Sequence, residues 1–249
     1  MYVLAAKMHL AIPLAANDLP RSFFGGRRGQ HPCESTDALF CPRWAVDNLH
    51  TYVDPALKQA YLVVISVVVG FAIAMALAVL SHRFKWLTPP IIGLTGVLYT
   101  VPSIAFFFLL LPITGFGTDT AVIALAAYTL QIIYRNAVTG LANVPTEARD
   151  AGRGMGMTRS QLLWRVEMPL AVPEIIAGLR IAAVSTMALA TLAFLAGAGG
   201  LGQQLSAQPT FKTNILLVGG LVIAMAITFD LMLLAVQRLT TPWRRARPA

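Results

Sequence analysis

From Gln59 to Leu80 the chain carries no charged side chain, and the run stops abruptly at Ser81-His82-Arg83. No other feature constrains the fold as much. A stretch of that length crosses the roughly 30 Å hydrocarbon core of a bilayer, which takes about 20 residues of helix. Four further segments share its character: Ile91 to Ile113, Asp119 to about Leu141, about Leu170 to Ala196, and Thr213 to Val236. Inside a bilayer the backbone has no water to bond to, so such spans are helical. Of the 249 residues 57% are apolar and only 12% charged, about half the charge of a soluble globular domain. That balance excludes an ordinary water-soluble fold, and it excludes disorder. The expected fold class is an all-α membrane protein with about five transmembrane helices.

Proline and glycine interrupt these spans at Pro102-Ser103 in the second and Pro173 in the fourth. Neighbouring helices re-satisfy the backbone groups so freed. Between spans four and five, Gly197-Ala198-Gly199-Gly200-Leu201-Gly202 is too glycine-rich for a stable helix interior.

The chain holds 19 Lys and Arg against 11 Asp and Glu, a net charge of +8. On a soluble protein this would raise nucleic acid as a partner. On a membrane protein it is the excess expected of cytoplasmic loops, and no nucleic-acid partner is expected. Arg83 and Lys85 follow span one, no cation follows span two, and Arg149, Arg153, Arg159 and Arg165 follow span three. Lys212 alone separates spans four and five, and Arg238, Arg244, Arg245 and Arg247 follow the last span. The alternation places the N-terminus outside and the C-terminus in the cytoplasm, with residues 241–249 as a basic tail. Six cations up to Lys58 lie on the predicted outer side, which a long segment tolerates.

Residues 1–55 read as an N-terminal extension, partly disordered or interfacial, ahead of a transmembrane domain spanning 56–240. Met1 to Ala16 is apolar but too short to span, and an ill-ordered stretch, a surface helix and a cleaved signal remain alternatives. Trp44 to Lys58 suits an interfacial helix leading into span one. Cys33 and Cys41 match no zinc or redox spacing. Two unpaired thiols are the simpler reading, with a disulfide on the oxidising face as the alternative.

The sequence lacks a phosphate-binding G-x-x-x-x-G-K-[ST] loop, and His9, His31, His50 and His82 show no ligand spacing. No metal site and no catalytic residue is expected. Carboxylates in or beside the spans are confined to Asp119, Glu174 and Asp230, too few for the proton relays of a self-powered carrier. Arg180 and Asp230 either sit near cytoplasmic helix ends, facing headgroups or bundle partners, or line a translocation path. Tyr99, Phe106, Phe107, Phe108 and Tyr128 read as packing or belt residues, with contact to a cation as the alternative.

The stretch 143–169 is the informative loop. Pro145 opens a short helix whose Glu147 complements the N-terminal dipole. This helix, Glu147 to Arg153, stops at Gly154-Met155-Gly156, where glycine permits left-handed geometry. Thr158 and Gln161 form a T-x-x-Q capping box, with Met157 and Leu162 as a hydrophobic staple. A second short helix is expected over Arg159 to Val166, carrying Leu162, Leu163 and Val166 at helical spacing, before Pro169 starts the next span. Such a hairpin either folds back on its own bundle or presents a helix to a soluble partner's groove.

Asp150-Ala151-Gly152, then Gly156, then Val166-Glu167-Met168-Pro169 resembles the E-A-A-x-x-x-G-x9-I-x-L-P signature of permease subunits of binding-protein-dependent ABC importers. Asp150 stands for Glu, Gly152 for the second Ala, and Val166 and Met168 for Ile and Leu. Tyr99-Thr100-Val101-Pro102-Ser103-Ile104-Ala105 is similar to the T-[IV]-P-S-[LI]-A segment of the osmoprotectant branch. Tyr134-Arg135-Asn136, Gly178-Leu179-Arg180 and Gly197 to Gly202 match the same branch. The resemblance covers roughly residues 55–236.

It implies a type I (MetI-like) permease bundle in a bacterial inner or plasma membrane, importing glycine betaine, carnitine, choline or similar quaternary amines. It assigns Asp150, Ala151, Gly152, Gly156 and Pro169 to coupling with a cytoplasmic ABC ATPase dimer, and Glu147, Thr158, Arg159, Leu162, Leu163 and Val166 are expected to belong to the same coupling loop. It implies a second permease subunit, identical or homologous, and an extracellular substrate-binding protein facing Gly197, Gly199, Gly200 and Gly202. Tyr99, Pro102, Ser103, Arg180 and Asp230 become candidates for the translocation path. No cofactor is expected in this chain, with ATP and Mg on the partner ATPase. An importer permease for another small solute, such as an amino acid, is the alternative; an ATP-independent carrier or channel is a more distant one.

Overall fold

The computed structural model describes residues 39–241, and residues 1–38 and 242–249 lie outside the described residues. The described chain is built from helices. Helix α1 (Pro42–Asn48) passes through a 3-10 turn (Leu49–Tyr52) into the long α2 (Val53–Arg83). Asp54 in its first turn and His82 and Arg83 in its last complement the helix dipole at both ends. After a second 3-10 turn (Lys85–Leu87) come α3 (Thr88–Thr100), α4 (Ser103–Thr114) and α5 (Thr118–Ala142). The loop region holds α6 (Thr146–Gly154) and α7 (Arg159–Leu162), and a π turn (Leu163–Glu167) leads into α8 (Met168–Ala190). A 3-10 turn (Ala193–Ala196), the short α9 (Leu201–Ala207) and α10 (Lys212–Thr240) complete the chain.

Among the described residues, four helical runs are long and apolar enough to cross a membrane: Pro42–Arg83, Thr118–Ala142, Arg159–Ala190 and Lys212–Thr240. The fifth expected span, Ile91 to Ile113, is not a straight helix. It breaks between α3 and α4, which meet at 99°. The cause is local: a residue before proline is pushed out of the α region, and Val101 takes ψ 128° ahead of Pro102. Tyr128 of α5 donates its hydroxyl proton to the Val101 carbonyl that the break strands. Tyr128→Phe keeps the ring but strands that carbonyl. It is expected to cost about 1–3 kcal/mol, read as a lower unfolding temperature of the purified protein.

Two further boundaries differ from expectation. Span four ends at Ala190 rather than Ala196, because the glycine-rich segment that follows tightens Ala193–Ala196 into a 3-10 turn capped by Gly197 at φ 76°. Gly202, expected outside any helix, lies within α9.

Helix α5 is the axis of the bundle, packed between α2 and α8. The seams are lined by fully buried alanines, among them Ala74, Ala78, Ala137, Ala171 and Ala182, because small residues let helix backbones approach in an apolar medium. Two apolar cores stack along the axis. One gathers Leu62, Phe106, Phe107, Leu125, Tyr128 and Met187, and the other Ile133, Tyr134, Leu141, Leu163, Met168 and Ile175. Helix α10 stands apart: of its residues only Thr213, Asn214 and Val218 are buried.

The residues expected to lead along the interface into span one pack onto the start of α10. Trp44 meets Phe211 edge to face at 4.8 Å, and the Cys41 amide donates to Thr213 Oγ1 at 3.0 Å. The Tyr52 hydroxyl donates to Asn214 Oδ1 at 2.6 Å. Cys41 is disulfide-bonded, which corrects the expectation of unpaired thiols for this residue. Cys33, Met1 to Ala16 and the basic tail beyond Thr241 lie outside the described residues.

Candidate functional site: the loop 143–169

The corner between α6 and α7 is held by hydrogen bonds at both ends. At the end of α6 the Met157 amide reaches back to the Gly152 carbonyl (3.2 Å) and the Gly156 amide to the Arg153 carbonyl (2.9 Å). These are the two bonds of a Schellman cap, which needs a left-handed residue at its turn. Gly156 supplies it at φ 76°. One residue after this cap the next begins. Thr158 Oγ1 accepts from the Gln161 amide (3.3 Å) and Gln161 Oε1 from the Thr158 amide (2.9 Å). This is the reciprocal capping box expected from T-x-x-Q.

The second helix is not a separate element. Arg159–Leu162 runs through the π turn directly into α8, so the expected break between Val166 and Pro169 is absent. Arg159 to Ala190 is thus one continuous helical run, long enough to be a span. Gly156→Val forces a β-branched residue into left-handed space at a cost of about 1–2 kcal/mol or more. The corner is expected to open, with a small loss of thermal stability and loss of any function that depends on its shape.

The inner face of the corner is bound to the bundle. Leu162 and Leu163 are buried, and Leu162 packs over Gly152. Gly152, where the importer signature carries alanine, leaves the space Leu162 occupies: a Cβ there would lie 2.6 Å from Leu162 Cδ1. Glu167 is the hub. It is 4% exposed, with Oε2 2.7 Å from His82 Nε2 at the end of α2 and Oε1 3.0 Å from Arg149 Nε on α6. The second contact is an ion pair by distance, but the Nε proton does not point at the oxygen in hydrogen-bond geometry. Arg149 also donates from Nη2 to the Leu141 carbonyl at the end of α5. Through Glu167 and Arg149, four segments meet: the ends of α2 and α5, helix α6, and the π turn that leads into α8. Beside them lies a half-open cavity of about 450 Å³ bordered by Ser81, His82, Lys85, Arg149, Arg153 and Glu167.

The outer face is open. Glu147, Asp150, Ala151, Thr158 and Arg159 are exposed, Val166 and Pro169 half-buried. Asp150 and Arg153 form an exposed ion pair at 3.3 Å, of a kind that contributes little to stability. Two large apolar side chains stand among these polar groups: Met155 at 70% and Trp164 at 58% exposure. Of the two readings of the hairpin, Leu162 and Leu163 follow the one in which it folds back on its own bundle: they are buried, whereas Met155 and Trp164 are exposed.

The remaining candidates fall in two other regions. Pro102 and Ser103 mark the break between α3 and α4, and Tyr99 lies just before it, its ring edge-on to Tyr128 at 5.9 Å. Arg180 and Asp230 face each other across α8 and α10, with Nε to Oδ1 at 2.8 Å and Nη2 to Oδ2 at 2.7 Å. At 1.5 Å per residue, Arg180 lies about 18 Å along the helix from Met168 and Asp230 about 15 Å from Thr240. Of the alternatives stated above, they make the contact with a bundle partner: they pair with each other, several turns inside their helices.

At the opposite end of the bundle, Gly197, Gly199 and Gly200 take φ of 76°, 79° and 95°. Their turn is tied down by Gln59, which is fully buried. Gln59 Oε1 accepts from the Leu201 amide (2.9 Å), and Nε2 donates to the Met187 carbonyl (3.2 Å) and Thr191 Oγ1 (3.1 Å). Sequence reasoning missed Gln59 and Glu167 as structural hubs. The available signal was a lone polar residue at the edge of an otherwise apolar helix, which needs buried partners.

Residues 60–242 match the family described as binding-protein-dependent transport system inner membrane component. The chain is 37% identical over 211 residues to the osmoprotectant import permease protein OsmW of Salmonella typhimurium, covering 79% of this chain and 98% of that protein. It is 35% identical to the carnitine transport permease protein OpuCB of Listeria monocytogenes, covering 74% and 87%. It is 34% identical to the choline transport system permease protein OpuBD of Bacillus subtilis, covering 77% and 84%. Among solved structures, a chain of the inward-facing MetNI methionine ABC transporter superposes with a TM-score of 0.68 at 18% identity, covering 78% of this chain and 98% of that chain. A chain of an amino acid ABC transporter with histidines gives 0.67 at 17% identity, covering 79% and 97%. At these identities the structures speak to the fold alone.

Proposed function

Because the chain belongs to the family of binding-protein-dependent transport system inner membrane components, we propose that it is the membrane-spanning permease of an ATP-driven importer of quaternary-amine osmoprotectants. Glycine betaine, carnitine and choline are the substrates that its relatives' names suggest. The chain itself is a transport subunit. ATP and Mg belong on a cytoplasmic ATPase dimer, and a second permease subunit, identical or homologous, completes the path across the cell membrane. An extracellular binding protein delivers the substrate to the glycine turn Gly197 to Gly202.

The observation that carries this reading is the two-faced corner at Gly156. Its inner face is bound to the bundle through Glu167 and Leu162, and its outer face offers Met155 and Trp164. Such a part passes a push from a docked protein into α8 without yielding. ATP-driven closure of the ATPase pair then rocks the spans between inward- and outward-open states, a rigid-body switch of the kind that alternating access requires. The broken helix at Val101-Pro102 and the Arg180–Asp230 pair border the path.

Buried aromatic anchors dominate protein interfaces, and their removal costs 2 kcal/mol or more, about 30-fold in affinity. Trp164→Asp is therefore expected to strip the ATPase from the purified complex while the bundle keeps its unfolding temperature. An ATPase that copurifies with Trp164→Asp at wild-type yield would show that the corner is not the docking surface.

A further inference from the structure

Charge is scarce inside this bundle, yet α8 and α10 meet within their spans through a two-pronged ion pair between Arg180 and Asp230. Helix docking alone does not call for it, since apolar residues at such a seam are often as stabilising or more so. The pair is also not sealed: the Arg180 and Asp230 side chains keep 26% and 31% of their exposure, on the open flank of α10. Ionisable groups at this depth belong where they face a partner or a cavity.

We propose that Arg180 and Asp230 form a subsite for a zwitterion, the guanidinium taking the substrate's carboxylate and the Asp230 carboxylate its quaternary ammonium. The proposal rests on the importer reading and narrows its substrate class. The Arg180 fork that now holds both oxygens of Asp230 fits any carboxylate. A quaternary ammonium has no N–H to donate, so it is held by opposite charge or by ring faces, and here Asp230 supplies the charge. When the zwitterion enters, one ion pair opens and two form, and the net charge stays at zero throughout. Arg180 keeps a hold meanwhile: its Nη1 donates to Gln237 Oε1 (3.4 Å), and Gln237 Nε2 is anchored on the Pro173 carbonyl (3.1 Å). A lone cation such as choline satisfies Asp230 and leaves Arg180 unpaired in an apolar medium. The site therefore favours betaine- and carnitine-like molecules over choline.

The test uses the complete complex in proteoliposomes, with its binding protein saturated so that turnover reports the permease. Arg180→Gln with Asp230→Asn replaces the ion pair by neutral amides that still bridge α8 and α10. It is expected to assemble normally yet lose at least tenfold of its glycine betaine turnover. Arg180→Lys keeps the ion pair but not the fork, and is expected to lose at least fivefold with an unchanged unfolding temperature. Wild-type turnover in either variant overturns the subsite, as does a wild-type complex that imports choline faster than glycine betaine. A wild-type complex that imports no quaternary amine overturns the importer reading, and the subsite with it.

Discussion

Gly202→Ala, the addition of one methyl group, is expected to unfold the outer end of the bundle. A Cβ at this position would stand 1.6 Å from the Thr191 carbonyl oxygen and 2.7 Å from its carbon, with Phe194 Cδ1 at 2.9 Å. The obstacle is backbone, so no rotamer change relieves it, and α9 must lift off the turn that ends span four. Overpacking of a filled site costs about 1–3 kcal/mol where side chains can yield, and here the cost is at or above the top of that range. Lifting α9 also pulls the Leu201 amide away from Gln59 Oε1, leaving a buried acceptor without its partner. The expected readout is a drop of many degrees in unfolding temperature, together with loss of the surface formed by Gly197, Gly199 and Gly200. Gly219→Ala and Gly220→Ala are the controls. Nothing lies within 4 Å of a Cβ at either position, and alanine in a helix interior gains up to about 1 kcal/mol over glycine.

Glu167→Ala has the second large effect, at the other end. The carboxylate is almost fully buried, and removing it leaves two cationic partners behind, Arg149 and, when protonated, His82. Breaking a buried pair costs about 3–5 kcal/mol when the orphaned charge is sealed from water. Here the His82 and Arg149 side chains are 28% and 21% exposed and border an open cavity, so water relieves part of the penalty, and about 1–3 kcal/mol is expected. The functional loss should exceed the stability loss. Without Glu167, helix α6 loses its charged tie to the end of α2 and is held by the Arg149 bond to the end of α5 and the packing of Leu162 over Gly152. ATP hydrolysis in the assembled complex should then proceed with fewer substrate molecules imported per ATP. Glu167→Gln, which still fills the site and bonds one partner, should fall between alanine and wild type.

The helical class and the number of spans were legible because they follow from one-dimensional quantities: runs without charge, and the alternation of cations. The corner was equally legible. Gly156 and the Thr158–Gln161 box act on residues within five positions, so local sequence contains all the information they need. What was not legible depends on which residues meet across the bundle. Pro102 announced a break, but not that the chain would turn through 99° or that Tyr128 would cap the exposed carbonyl. Leu162 and Leu163 have the spacing of a partner-facing stripe, and only the packing of Leu162 over Gly152 and of Leu163 into the core shows that they face inward. Arg180 and Asp230, some fifty residues apart, looked like unrelated charges until α8 and α10 were seen side by side. Glu167 was visible only as a letter inside a motif, because its partners come from two other segments. Its place beside Met168-Pro169 gave no sign of either.

The corner and the pair place different demands on the same chain. The corner has to be stiff, and two interlocking caps with a buried carboxylate make it so. The proposed subsite requires the seam between α8 and α10 to open, and α10 buries few of its own residues.

The most direct measurement is uptake of labelled glycine betaine into proteoliposomes that hold the permease, its ATPase and its binding protein, with and without ATP inside. Uptake is expected only with internal ATP, to be abolished by a non-hydrolysable analogue, and to fall in Gly156→Val even though the bundle survives. Equal uptake in ATP-free vesicles would contradict the account, since the chain would then be driving or conducting transport by itself.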